Sequence, residues 1–299
     1  MYKHLIALSI IAGLLPSVAA HAEAYTFSAL QPRETAQAMA PGQWQVGIFN
    51  PLRVGLTYFE LELHPLAALA APHMDIKVPI AGGTPDKWQW TAQFGLAVPT
   101  PATRMAKPFG FSGDLVPSCK VAIHDPTQDK WCQRPGWMAV PKLGMWGSKL
   151  IGHDGKDGFS ALTLRAEVAM GLPLTGERAQ PLDAWAPVDV QFAPYLGATR
   201  AQLRIGYDQL VTNGLRLRGE IGGYYTSRPA DDPLSVWTAS AYLGVDVATG
   251  AHTRLTLGAM YYNADRHQRS VTTDAEGFAV VQYVRSHEVW PTVDLIWSY

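Results

Sequence analysis

The sequence predicts an all-β protein, a transmembrane antiparallel up-and-down β-barrel of about 12 strands. Three observations predict it. From residue 44 to residue 299, segment after segment alternates apolar and polar residues with period two. In several segments the apolar face stays free of charge for about 10 residues, enough for a tilted strand to cross a bilayer core. Only 16% of residues are charged, against about 25% in an ordinary soluble protein. A wall that faces lipid accounts for that shortfall, and the 10 Trp and 12 Tyr suit the aromatic girdles of such a wall. A soluble β-sandwich alternates too, but its polar face meets water. Here the polar face carries charges of both signs in a few positions, as a barrel interior does.

The pattern is clearest at residues 288–299. Val289, Pro291, Val293, Leu295, Trp297 and Tyr299 share one face. Glu288, Thr292, Asp294 and Ser298 share the other, with Trp290 and Ile296 as apolar exceptions. This strand, ending on an aromatic residue, resembles the closing strand of bacterial (Gram-negative) outer-membrane β-barrel proteins. The resemblance is one of architectural class and takes in nearly all of the chain after residue 22. It implies an outer-membrane location and partnership with outer-membrane lipids and lipopolysaccharide. It also implies that the strand ending at Tyr299 is read by the barrel assembly machinery. Pro291 interrupts the pattern, because inside a sheet a proline removes one ladder hydrogen bond unless it sits at a bulge.

The start of the chain agrees. Residues 1–22 read as a signal peptide: Lys3 and His4, an apolar run from Leu5 to Leu15, then small residues up to Ala20, His21 and Ala22. The run is too short for a spanning helix, which needs about 20 apolar residues. Cleavage after Ala22 is expected, and with it export through the inner membrane to the cell outer membrane. No cysteine follows the signal to take a lipid anchor. The balance of 24 Lys and Arg against 25 Asp and Glu leaves no basic excess for nucleic acid.

In order, residues 23–43 form an amino-terminal segment ahead of the sheet, either a periplasmic arm or a plug of the lumen, and residues 44–299 form the barrel. Strands are expected near 44–50, 53–64, 73–80, 87–98, 136–150, 158–172, 187–196, 200–211, 214–226, 234–248, 251–263 and 278–299. Turn residues set the boundaries: Asn50 and Pro51, Gly82 and Gly83, Asn213 and Gly214, Thr249 and Gly250. Pro141 and Gly144 weaken the fifth strand. Residues 99–135 break the rhythm. At about 37 residues this stretch is long for a connection and holds both cysteines, Cys119 and Cys132. In an exported chain the default is a disulfide between them, worth about 3 kcal/mol for a loop of that size. A metal-binding or reactive pair is the alternative. An even strand count places both chain ends on the periplasmic side, together with the tight turns at 212–214 and 248–250 and the cysteine segment. It places residues 151–157, 227–233 and 264–277 outside the cell. Tyr224, Tyr225, Trp237, Tyr261 and Tyr262 then make an outer aromatic belt, and Trp44, Trp297 and Tyr299 an inner one.

Chemistry is sparse. No nucleophile elbow, zinc helix or phosphate loop is present. His287 with Ser286 or Ser270, and His267, are the residues that an outer-rim lipid hydrolase could use, but their spacing does not single them out. His64 and His73 lack a third ligand to make a metal site. Residues 151–158 look faintly like a calcium loop, but the spacing is wrong for an EF-hand. No cofactor is expected. The remaining candidates are the charges expected to line the lumen: Glu60, Glu62, Arg165, Glu167, Arg204, Arg216, Arg218 and Glu220. Two readings stand for them. One is a polar conduit with a basic and an acidic wall that steers small polar solutes. The other is an ion-pair network that fills a narrow barrel, since about 12 strands enclose less space than the 16 to 18 of open porins. The expected function is a narrow channel or transporter for small solutes or ions. The alternatives are a structural or assembly barrel with a filled lumen, or an outer-membrane lipid-modifying enzyme.

Overall fold

The computed structural model describes residues 35–65, 68, 71–82, 87–98, 138–151, 160–174, 190–191, 193–212, 214–227, 236–273, 277 and 279–299. The signal peptide, the first part of the amino-terminal segment, Cys119, Cys132 and residues 152–158 lie outside them. Period-two alternation commits each segment to one apolar and one polar edge, and the described strands close into a ring. In chain order they are β1 (Trp44–Gly47), β2 (Leu52–Gly55), β3 (Glu60–Leu63), β4 (His73–Ala81), β5 (Gln89–Ala97), β6 (Met138–Ile151), β7 (Ser160–Met170), β8 (Thr199–Thr212), β9 (Leu215–Thr226), β10 (Val236–Ala248), β11 (Thr253–Thr273) and β12 (Ala279–Ser298). Each pairs antiparallel with its sequence neighbours. β12 returns to β1 through Gln45 with Ser298, Val46 with Trp297 and Gly47 with Ile296. Leu172 and Pro173 add a short pairing to Met138 and Ala139.

The fold class and strand number are those expected, but two strand assignments differ. The segment expected as one strand at 53–64 is two strands with a turn at 56–59, closed by Leu56 N–H donating to the Phe59 carbonyl at 2.8 Å. The inward set changes parity across it, from Arg53 and Gly55 to Glu60 and Glu62, so no single strand can run through. Among the described residues no strand forms at 187–196. Ala193–Leu196 is a turn of 3-10 helix instead, and Val190 packs inside the barrel on Tyr224, Tyr262 and Ala264. The fifth expected strand is a full one despite Pro141 and Gly144, and β11 runs well into the expected loop at 264–277.

Splitting β2 from β3 reverses the direction of every strand from β3 to β7. The connection holding both cysteines therefore leaves the ring at the end opposite the chain termini, and residues 152–159 join strands at the terminal end. With that correction the short turns, such as 213–214 and 249–252, share the end where Trp44 and Tyr299 meet. The long connections share the other, as in bacterial barrels. Trp44 and Tyr299 exchange two backbone hydrogen bonds of 2.7 and 2.9 Å, and their rings stack at 4.8 Å. Tyr225 and Trp237 pair on the outside near the opposite rim, with ring centroids 5.2 Å apart. Tyr224 and Tyr262 do not belong to that belt. They are one residue out of phase with it and are buried in the lumen.

The wall is apolar outside and polar inside. Leu203, Ile221, Leu243 and Val289 are exposed, Leu243 at 71%. Among the described residues, buried polar and charged side chains outnumber buried apolar ones. That inversion, together with a closed ladder, is what hydrocarbon requires. Placing Arg at Leu243 (Leu243→Arg) is expected to cost about 2–4 kcal/mol if that position sits near the bilayer midplane. Denaturant unfolding of the protein in phospholipid vesicles checks this, with Thr238→Arg, on the inward face of the same strand, for comparison.

Candidate functional site

The same alternation that makes the outside apolar aims one residue in two at the lumen. On β9 these are Arg216, Arg218, Glu220 and Tyr224. On β7 and β8 they include Arg165, Glu167, Arg200, Arg204 and Asp208. On β2 to β4 they are Arg53, Glu60, Glu62, Asp75 and Lys77.

These charges are interleaved. Toward the terminal end, the fully buried Arg216 lies between Asp208 at 2.5 Å and Asp246 at 3.0 Å. Arg218 approaches the same two carboxylates at 3.6 and 3.8 Å, and the Thr256 hydroxyl donates to Asp246 at 2.8 Å. Higher up, Arg204 pairs with Glu220 at 2.6 Å and lies 4.8 Å over the Tyr224 ring. Glu167 takes Arg165 at 2.8 Å and Arg200 at 2.6 Å. Lys142 pairs with Asp75. Arg53 reaches Glu62 at 2.9 Å and Glu60 at 3.9 Å. Near the middle, Trp146 has Lys77 at 4.9 Å and Arg165 at 4.2 Å from its ring centroid. Its indole N–H donates to Gln93 Oε1 at 3.0 Å. Such cation–π contacts are worth about 2 kcal/mol or more when desolvated.

Two segments of chain enter this space. Residues 35–40 lie against the lower wall. Lys77 Nζ donates to the carbonyls of Thr35 at 2.7 Å and Gln37 at 2.9 Å. The Ala36 N–H donates to Ser148 Oγ at 2.7 Å, and the Met39 N–H to Glu60 Oε2 at 2.9 Å. Thr91 donates to the Ala36 carbonyl. Gly55 lets the segment pass this close, because a Cβ there would collide with the Ala40 carbonyl oxygen. From the opposite end, Gln191 accepts from Arg200 at 2.6 Å. Tyr195 packs on Ala97, Met138, Val140 and Ala169, where burial pushes its phenol pKa up.

All eight charges singled out in the sequence lie on the inward face, and each has an opposite charge within 4 Å. They do not form separate basic and acidic walls. Periodicity alone did not single out Arg53, the one charge of β2, nor Lys142 and Arg200, nor Trp146, which reads as one more girdle aromatic. Ser286 and His287 point to opposite faces: Ser286 donates to Glu288 at 3.1 Å, and His287 Nδ1 lies 2.6 Å from the Tyr261 hydroxyl. His73 uses one ring nitrogen on the His64 N–H and the other on the Ala71 carbonyl. Among the described residues no group of three or more His, Cys, Asp or Glu is placed to hold a metal ion.

No protein-family model matches the sequence, and no curated protein is significantly similar to it. Solved structures resemble the fold. In-vitro folded OmpT, an outer membrane protein of Vibrio cholerae, is 10% identical over 85% of this chain and 64% of its own, with a TM-score of 0.37. This chain thus spans just under two thirds of that protein. The outer-membrane expressed form of OmpT is 9% identical over 95% and 74%, with a TM-score of 0.40. The closed form of the ferric-catecholate import receptor Fiu from K12 E. coli is 11% identical over 88% and 48%, with a TM-score of 0.26. The architecture is that of an outer-membrane β-barrel, and it rests on the chain's own closed ladder and apolar exterior.

Arg216→Met leaves Asp208 and Asp246 buried with less compensation and is expected to destabilise by about 3–5 kcal/mol. Replacing all three with apolar residues of similar volume should cost far less. Equilibrium unfolding of both variants in vesicles checks the difference.

Proposed function

We propose that this chain is an outer-membrane barrel that acts as a closed structural or assembly element, its lumen held by an internal ion-pair core. The observation that carries the reading is the placement of Arg216 at 0% exposure between two carboxylates from neighbouring strands. A conducting pathway needs groups that solute can reach and leave. Here the charges neutralise one another, and chain segments enter from both ends. The signal peptide and the final strand support delivery to the outer membrane and recognition by the barrel assembly machinery, with lipids and lipopolysaccharide around the wall. No catalytic role is proposed, since the serine and histidine adjacent in sequence face opposite sides of the wall.

A second reading is a narrow, gated channel for small ions or polar solutes. It is favoured by Glu62, Lys142, Arg165 and Glu220, whose side chains keep 19–28% exposure on the inner face. In that reading residues 35–40 are the gate, and Lys77 is its latch.

Single-channel recording in planar bilayers separates the two. The wild-type protein is expected to be electrically silent. Steady wild-type conductance overturns the closed-barrel reading. Silence in the wild type with current in Lys77→Ala, or after deletion of residues 23–40, supports the gate.

A further inference from the structure

We propose that the barrel wall has a lateral portal beside β12, through which an acyl chain of an ester-linked bilayer lipid reaches the aromatic cluster on the inner face. The first observation is wall height. β1, β2 and β3 have four residues each, whereas β12 has 20 and β4 has nine. Four residues rise about 13 Å, less than half of a hydrocarbon core of about 30 Å. The wall is therefore low between β4 and β12, across four strand spacings or roughly 19 Å.

The second observation is the edge of β12. The last hydrogen bond of the seam runs from the Ile48 N–H to the Leu295 carbonyl at 3.3 Å. Directly above it, the Asp294 carboxylate accepts from the Phe49 N–H at 3.1 Å and from the Asn50 side chain, closing the turn. Backbone direction alternates along a strand, so His287, Val289, Pro291 and Val293 aim their peptide groups the same way as Leu295. Among the described residues no strand pairs with that edge. Pro291 has no N–H, so its place on this edge loses no ladder bond. It would also interrupt any further strand added there, which argues against a protein strand as the occupant.

The third observation is what lies behind the edge. Trp290 faces Met260 across the β11–β12 ladder, and Glu288 faces Tyr262. Met260 and Trp290 pack on the cluster containing Tyr224 and Tyr262, whose rings lie 6.3 Å apart. The Tyr224 hydroxyl and Thr292 Oγ1 are buried without a hydrogen-bond partner among the described residues. Among the described residues, the N–H groups of that edge face no strand and the two hydroxyls have no partner, so the opening presents donors. An ester-linked lipid brings acceptor oxygens on an apolar chain, and the outer lip of the opening is already apolar at Phe49, Val289 and Val293.

The inference rests on the membrane placement of the barrel and not on whether its lumen conducts. The test is photocrosslinking of the full chain in phosphatidylethanolamine vesicles, with benzoylphenylalanine placed singly at Leu243, Val289 or Met260 and adducts read by mass spectrometry. Lipid adducts are expected at all three, the lumenal Met260 position included. Adducts at Leu243 and Val289 with none at Met260 overturn the portal. Absence of lipid at Leu243 as well overturns the membrane placement instead. A crosslink from Val289 to a second copy of the chain overturns the lipid as occupant. On the unlabelled protein, native mass spectrometry is expected to show retained lipid. A wild-type protein free of lipid also overturns the proposal.

Discussion

A peptide group in hydrocarbon has no water to bond, so each spanning strand needs a partner along both edges. The rest of the structure depends on this constraint. Most junctions of the ring join sequence neighbours and run for nine or more registered pairs, as between β9 and β10. The closing junction is different. It joins the two ends of the sheet through three registered pairs, reinforced by the Trp44 and Tyr299 stack and by Asp294 over the turn that follows β1. Each unpaired buried group costs several kcal/mol, so the ring is held loosely at and beside its closure, where β1 meets β12 through three pairs and β2 through two, and the only proline of β12 lies along its open edge.

Closure turns one face of every strand inward. A ring of this size encloses too little space for bulk water to solvate all of the charges, so they solvate one another. Buried ion pairs contribute little net stability, because desolvation offsets most of the attraction. Their consequence is geometric. Arg216 ties β9 to β8 and β10 at once, Glu167 binds arginines of its own strand and of β8, and Trp146 is fixed between cations from β4 and β7. A register slip of one residue on any of these strands would carry its charges to the lipid face.

Much of this was legible because a membrane barrel writes its two faces into alternate residues. The outward set of the last strand, from Val289 to Tyr299, follows from period two alone, as does the inward set from Arg216 to Glu220. Connectivity was harder to read. Leu56 and Tyr58 continue an apolar series that Phe59, Leu61 and Leu63 then pick up one residue out of phase, and this phase change is the one local sign of a turn. In residues 188–192 the alternation is as good as in any true strand, but Val190 packs inside the ring and Ala193–Leu196 is a turn of 3-10 helix. One strand gained and one lost left the number unchanged while inverting the placement of the cysteine connection. The ion pairs were beyond sequence reasoning, because register decides which arginine meets which carboxylate.

The polar lumen and the segments inside it belong together. Non-sheet backbone brings peptide N–H and carbonyl groups to membrane depth, where they must be satisfied. An apolar core could not accept residues 35–40. This one does, because Lys77, Ser148, Thr91 and Glu60 present the needed donors and acceptors. Arg200 does the same for Gln191 at the opposite end. The same alternation keeps the mean hydropathy of the chain near zero, so no segment after residue 22 carries the long apolar run of a spanning helix. One choice, polar residues on the inner face, thus hides the wall's apolar character from a helical reading and gives irregular chain a place to lie inside the ring.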